Sequence, residues 1–141
     1  MAAQPNPVST VDKFATQAVE SYYRWLDGTQ EQRGELLGRY LQSPGAGALM
    51  DWNGHTLATV EAITGYFATL PRTKHSPKCI DALPLPGCVG ADTFVVTVTG
   101  TASYGDERHL RHYHHRIIFC NADKLRIVHD YFRWTGEGDA R

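Results

Sequence analysis

Five of the seven histidines fall between positions 109 and 129: His109, His112, His114, His115 and His129. Two chemistries are available to such a cluster, metal ligation and proton transfer. In an extended chain His112 and His114 share a face, with His129 on a following segment, while His115 points the other way. No cysteine or carboxylate completes a tetrahedral set beside them, so the pattern predicts no metal. For proton transfer the inward-facing candidates are His115, Asp130 and the hydroxyls of Tyr104 and Tyr113, with Asp130 beside a Tyr or His as an acid–base pair. The competing reading is that these groups are hydrogen-bonded inside the fold, as buried polar groups generally are. A nucleophile elbow, a phosphate-binding loop and a paired-carboxylate motif are all missing from the sequence. The expectation is therefore a non-enzyme without cofactor. A third feature is Arg133, set among aromatics in Tyr131-Phe132-Arg133-Trp134. Its planar fork suits a carboxylate on another molecule.

The elements that must position these residues are legible from periodicity. Val11, Phe14, Ala15, Ala18, Val19, Tyr22 and Leu26 recur at intervals of three and four, which predicts a helix with one buried stripe ending at Gly28. A second helix is expected from about Gln30 to Leu41, broken by Ser43-Pro44-Gly45. Leu49 to Trp52 and His55 to Leu57 read as two short strands around Asn53-Gly54, a strong hairpin signal because both residues tolerate positive φ. Thr59 caps a third helix that runs to about Leu70, with Val60, Ile63, Phe67 and Leu70 inward. Long strands are expected near Lys74–Leu83, Thr93–Tyr104, Arg108–Cys120 and Leu125–Trp134, separated by turn-forming residues. Helices first and strands second predict an α+β fold with a mainly antiparallel sheet.

Alternation then divides the sheet into two faces. Phe94, Val96, Val98, Ala102 and Tyr104 belong against the helices, with Tyr113, His115, Ile117 and Phe119 on the next strand and Val128, Phe132 and Trp134 on the last. The opposite face carries Val95, Thr97, Thr99, Thr101 and Ser103, then His112, His114, Arg116 and Ile118, then Ile127, His129, Tyr131 and Arg133. Three helices cover one side of such a sheet. The uncovered side mixes apolar and aromatic anchors with Arg, His and Thr, the composition of a protein–protein interface as well as of an ordinary wet sheet face.

Length and composition set the outer bounds. The 141 residues amount to one domain, with 42% hydrophobic and 21% charged residues and a formal net charge of -1. That balance weighs against a dedicated nucleic-acid binder, which needs a basic surplus. No apolar run approaches membrane-spanning length, so no membrane contact is expected. Residues 1–9 read as a disordered lead-in without a signal-peptide layout, 10–136 as the folded domain and 137–141 as a flexible tail. Cys79, Cys88 and Cys120 are odd in number and widely spaced, which predicts free thiols in a reducing compartment.

Several motifs together resemble the nuclear transport factor 2 family. They are Tyr22-Tyr23 in the first helix, Leu49-Met50-Asp51-Trp52-Asn53-Gly54 in the hairpin, Tyr66-Phe67-Ala68-Thr69-Leu70-Pro71 at the third helix end, and the closing Asp130-Tyr131-Phe132-Arg133-Trp134. The resemblance runs from about Val11 to Trp134. It implies a cone-shaped fold, three helices packed on one face of a curved sheet, that associates through its open face. The W-N-G hairpin and the D-x-F-R-aromatic ending are most similar to the branch of small subunits that pair with TAP-type mRNA export receptors. That branch implies a heterodimer that engages phenylalanine–glycine nucleoporins as a complex, contacts RNA at most indirectly, and shuttles between nucleus and cytoplasm. By the same resemblance Thr97, Thr99, His114, Arg116, Ile118, His129, Tyr131 and Arg133 line the partner face, with Arg133 opposite a partner carboxylate. The family's import carrier is a homodimer that binds Ran-GDP through acidic residues after the second long strand. Here that loop reads Gly105-Asp106-Glu107-Arg108-His109, with Arg108 where a further acid is expected. In a symmetric dimer Arg116 and Arg133 approach their own mates without an acidic partner. Both departures weigh against Ran binding and self-association. Enzymes that use the cone interior, as others of the superfamily do, form the remaining alternative.

Overall fold

The computed structural model describes residues 7–41, 49–85, 92–121 and 123–135. Three helices, α1 (Pro7–Leu26), α2 (Gln30–Leu37) and α3 (Val60–Thr69), pack on one face of a six-stranded sheet. The strands are β1 (Met50–Trp52), β2 (His55–Leu57), β3 (Thr73–Pro84), β4 (Asp92–Tyr104), β5 (Arg111–Asn121) and β6 (Leu125–Trp134), in the order β2-β1-β6-β5-β4-β3. Among these strand pairs only β1 against β6 is parallel, and an isolated parallel bridge joins Tyr40 to Ile127. The α+β fold with a mainly antiparallel sheet is as the sequence predicts.

Local chemistry explains most boundaries. Thr29 caps α2 with a full capping box: its hydroxyl accepts from Gln32 N–H while the Gln32 side chain accepts from Thr29 N–H. Thr59 caps α3 by accepting from Ala62 N–H. Asn53 and Gly54 both take positive φ, 51° and 90°, which turns β1 into β2 within two residues. Gly100 is required by packing: a Cβ there lies 2.3 Å from the Ser76 carbonyl oxygen, beside the β3 bulge at Pro77–Cys79.

The core lies between the helices and the inner sheet face. Trp52, Tyr22, Tyr113, Phe67, Phe119 and Phe132 are among its largest fully buried side chains. Phe94, Val96, Val98 and Ala102 face inward as alternation predicts.

Several expectations are corrected. Phe14 is 47% exposed, and Tyr23 is buried in its stead. At 3.6 residues per turn Phe14 lies about 110° from the centre of the arc formed by Ala15, Ala18, Val19, Tyr22, Tyr23 and Leu26. Helix α1 begins at Pro7, inside the segment expected to be disordered, and α2 stops at Leu37 because Gly38 caps it. Strand β5 starts at Arg111 rather than Arg108. On β6, Ile127 is buried and Val128 is exposed, the reverse of strict alternation. A bulge causes this: Ile118 pairs with His129 but Phe119 pairs with Ile127, so Val128 is the extra residue and the faces switch across it. Cys79 is an exposed free thiol and Cys120 a buried one, whereas Cys88 falls outside the described residues, as do the first six positions and the tail.

Candidate interaction face

Cross-strand register turns the uncovered face into three rows. The first is Leu83, Val95, Ile118 and His129, and the second Asp81, Thr97, Arg116, Tyr131 and Asp51. The third is Cys79, Thr99, His114 and Arg133. All eight residues singled out in the sequence, Thr97, Thr99, His114, Arg116, Ile118, His129, Tyr131 and Arg133, therefore lie on this one face. The first row is apolar apart from His129, with Leu83 63% exposed. The second carries a charge at every other position, with Thr97 and Tyr131 between them.

The charges are placed in a way the sequence did not foretell. Arg133 Nη1 donates to Asp51 Oδ1 at 2.5 Å, so this guanidinium already has a carboxylate within the chain. The pairing follows from register: Asp51 lies beside Tyr131, two residues before Arg133. The Arg133 guanidinium beside it holds the Asp51 carboxyl below the usual carboxylate range. Tyr131 is flanked by two cations, with Arg133 4.6 Å and Arg116 4.9 Å from its ring centroid. Arg116 is exposed and makes no ion pair among the described residues. Asp81 lies two strands away in the same row, about 10 Å at the ordinary strand spacing, and makes no ion pair with it. His114 has its pKa lowered by partial burial first and by Arg116 second.

Behind the sheet, two of the inward candidates for proton transfer, Asp130 and His115, join a closed network, whereas the Tyr104 hydroxyl lies 3.2 Å from His75 Nε2 and the Tyr113 hydroxyl bonds to neither Asp130 nor His115. Asp130 Oδ2 accepts from Tyr22 at 2.6 Å and Tyr40 at 2.7 Å, and Oδ1 lies 2.5 Å from His115 Nε2. His115 Nδ1 is 2.9 Å from the Tyr23 hydroxyl. With Nε2–H donating to the acid, Nδ1 accepts from Tyr23 and every member is used. Asp130 and His115 are both fully buried. Burial is the largest cause, and Asp130 the next, of the raised pKa of Tyr22 and Tyr40. The Tyr23 ring stacks on His75 at 4.8 Å, and Asp27 holds His75 through both its backbone N–H and Nδ1. Sequence reasoning found Asp130 and His115 but not Tyr22, Tyr40 and Tyr23, because their partners are 90 to 108 residues away. Tyr22-Tyr23 as consecutive aromatics on one helix was the available signal.

His112, His114 and His129 are spread over separate rows, and no group of three metal-binding side chains occurs among the described residues. No described helix is long and apolar enough to cross a membrane.

The sequence matches the family model of the nuclear transport factor 2 (NTF2) domain over residues 14–134. No curated protein matches the chain in sequence. Similar solved structures include nuclear transport factor 2 from Cryptosporidium parvum. It is 20% identical with a TM-score of 0.73, over 95% of this chain and 100% of that one. The Mtr2–Mex67 M domain complex of Candida albicans aligns at 13% identity and a TM-score of 0.71, over 92% and 99% of the chains. A yeast complex of the deubiquitinase Ubp3 and its cofactor Bre5 aligns at 14% and 0.69, over 90% and 98%. At these identities the likeness is one of fold.

Proposed function

Because the chain belongs to the nuclear transport factor 2 domain family, we propose that it is the small, non-enzymatic subunit of a heterodimeric mRNA export receptor. It docks its open sheet face on the related domain of a TAP-type large subunit. Nucleoporins rich in phenylalanine–glycine repeats are engaged by the assembled pair, which shuttles between nucleus and cytoplasm, and RNA is contacted at most indirectly. The observation that carries this reading is Arg116: an exposed cation between Thr97 and Tyr131 at the centre of the open face, with no ion pair among the described residues. A partner that sets Asp or Glu against Arg116 and apolar side chains against Leu83, Val95 and Ile118 complements all three rows. The presence of an Mtr2–Mex67 complex among the similar folds supports the same arrangement.

One observation favours a second reading, self-association. Arg133 is neutralised by Asp51 and Asp81 shares a row with Arg116, so a symmetric dimer can set each Arg116 against the other copy's Asp81. The like-charge objection drawn from sequence is weaker than it first looks. Sedimentation and calorimetry separate the readings. The wild type is expected to remain monomeric alone at micromolar concentration and to bind a purified TAP-type domain. Arg116→Glu is expected to lose at least tenfold in affinity while keeping a native circular dichroism spectrum. A stable homodimer that ignores the large subunit, or capture of Ran-GDP instead, overturns the proposal.

A further inference from the structure

Beyond the third row of the open face, register sets Ser76, Thr101 and His112 side by side on β3, β4 and β5. None of the three is among the eight residues assigned to docking. Ser76 is followed by Pro77, with Lys78 next. A proline holds the residue before it in the extended region, the conformation in which proline-directed kinases bind a serine.

The strand is open to an enzyme at this point. β3 is an edge of the sheet. Pro77 has no N–H to offer a further strand, and Lys78 is the extra residue of the bulge between Pro77 and Cys79. Ser76 is half-buried, and Pro77, Lys78 and Cys79 are all exposed. A bulged edge is where a ladder opens locally at least cost.

The surroundings suit a phosphate. Thr101 is 8% exposed, and its hydroxyl is buried without a hydrogen-bond partner among the described residues. Buried polar groups are nearly always paired, so this hydroxyl is a donor awaiting an acceptor. Side chains directly opposed across two strands have Cβ atoms about 4.5–5.5 Å apart, so a phosphoryl group on Ser76 Oγ reaches the Thr101 O–H. Exposed Lys74 shares the face two residues before Ser76, and exposed His112 flanks Thr101 on the far side. The acids near this stretch are elsewhere engaged or displaced: Asp27 holds Thr73 and His75, and Asp81 lies past the bulge. A phosphoserine brings three strong acceptor oxygens and a charge of about -1.5 to -2, which complements a free hydroxyl among cations.

We propose that Ser76 is the acceptor of a proline-directed kinase, and that its phosphate is held within the chain by the Thr101 hydroxyl, with Lys74 and His112 on either side. The bond from Ser76 Oγ to the γ-phosphorus of ATP forms as the bond from that phosphorus to its bridging oxygen breaks. ADP leaves, and the hydroxyl proton passes to the base of the kinase.

The full chain, treated with a cyclin-dependent kinase and magnesium ATP, tests this by tandem mass spectrometry. Ser76 is expected to be labelled in the folded wild type, and Pro77→Ala to lower that labelling at least tenfold. An unrestrained phosphoserine has its second pKa near about 6. Followed by phosphorus-31 resonance, the Ser76 phosphate is expected to titrate below that value, because the hydroxyl and the cations favour the dianion. Thr101→Val keeps the shape and removes the donor, and is expected to return the pKa towards that of free phosphoserine, as is Lys74→Met. Amide exchange at Ser76 and Thr101 is expected to slow at least threefold on phosphorylation, since the phosphate ties β3 to β4. Labelling of a peptide spanning residues 70–82 but not of the folded chain, labelling that Pro77→Ala leaves unchanged, or a phosphate that titrates alike in the wild type and Thr101→Val overturns the proposal.

Discussion

At the scale of single residues, the buried network behind the sheet makes predictions about stability. Asp130 gathers three donors in a dry interior, where a hydrogen bond to a charged group is worth about 1.5–3 kcal/mol. Tyr22→Phe and Tyr40→Phe are each expected to lower unfolding stability by that amount in urea denaturation, and neither to alter partner affinity, because both lie behind the sheet. His75 makes a pH prediction. Burial lowers its pKa, with Asp27 working in the opposite direction as the next cause. An unfolded His titrates near 6.5. The stability this neutral imidazole carries is therefore fully present above about pH 6.5 and is lost as pH falls towards its lower folded value, where the unfolded chain binds the extra proton. Melting temperature should fall between pH 7 and pH 5 in thermal scans, and His75→Gln should flatten that slope. A slope that the variant leaves unchanged assigns it to other groups. On the open face, Arg133→Ala is expected to loosen the β1–β6 junction by removing the partner of Asp51, whereas Arg116→Glu acts on association.

At the scale of elements, one buried side chain ties the helices to the sheet. Arg33 is 4% exposed. Its guanidinium donates to the carbonyls of Leu26, Leu70 and Pro71 at 2.8, 3.2 and 2.7 Å, so a cation sits at the C-terminal ends of α1 and α3 together. Burial lowers its pKa. Arg33→Met removes every one of these donors and should destabilise by about 3 kcal/mol or more, since several buried carbonyls lose their partner at once. Arg33→Lys should recover little of it, because an ammonium lacks the planar fork. Gly100→Ala should be damaging for a different reason: the new methyl meets the backbone of β3, which cannot move without breaking the bulge. Both are read by chemical denaturation with a guanidinium-free denaturant.

At the scale of the molecule, a curved sheet with helices on one side leaves its other side to be covered. Apolar Leu83, Val95 and Ile118 beside unpaired Arg116 make an exposed face that a folded partner stabilises by mass action. Adding the large-subunit domain at 100 times its Kd should raise unfolding stability by about 2.7 kcal/mol, seen as a higher melting temperature in a concentration-dependent scan. Arg116→Glu should lose most of that increment while its own melting point stays near that of the wild type.

Sequence by itself determined the elements and, apart from the start of β6, which side of the long strands belongs to the core, because capping hydroxyls, Asn-Gly turns and periodicities of 3.6 and 2 are local and repeat within a few residues. It also put the eight open-face residues together, since alternation needs only parity. Tertiary structure alone decided the rest. Phe14 turns outward because the helix packs by the arc its neighbours bury, and Ile127 and Val128 exchange faces because the bulge arises from pairing with β5. Arg133 is answered by Asp51, 82 positions earlier, because β1 runs parallel to β6, a pairing with no trace in either strand's own pattern. Hydrogen bonds between distant side chains depend on where the chain has been brought, and that is set by the packing of the whole core rather than by any stretch of sequence.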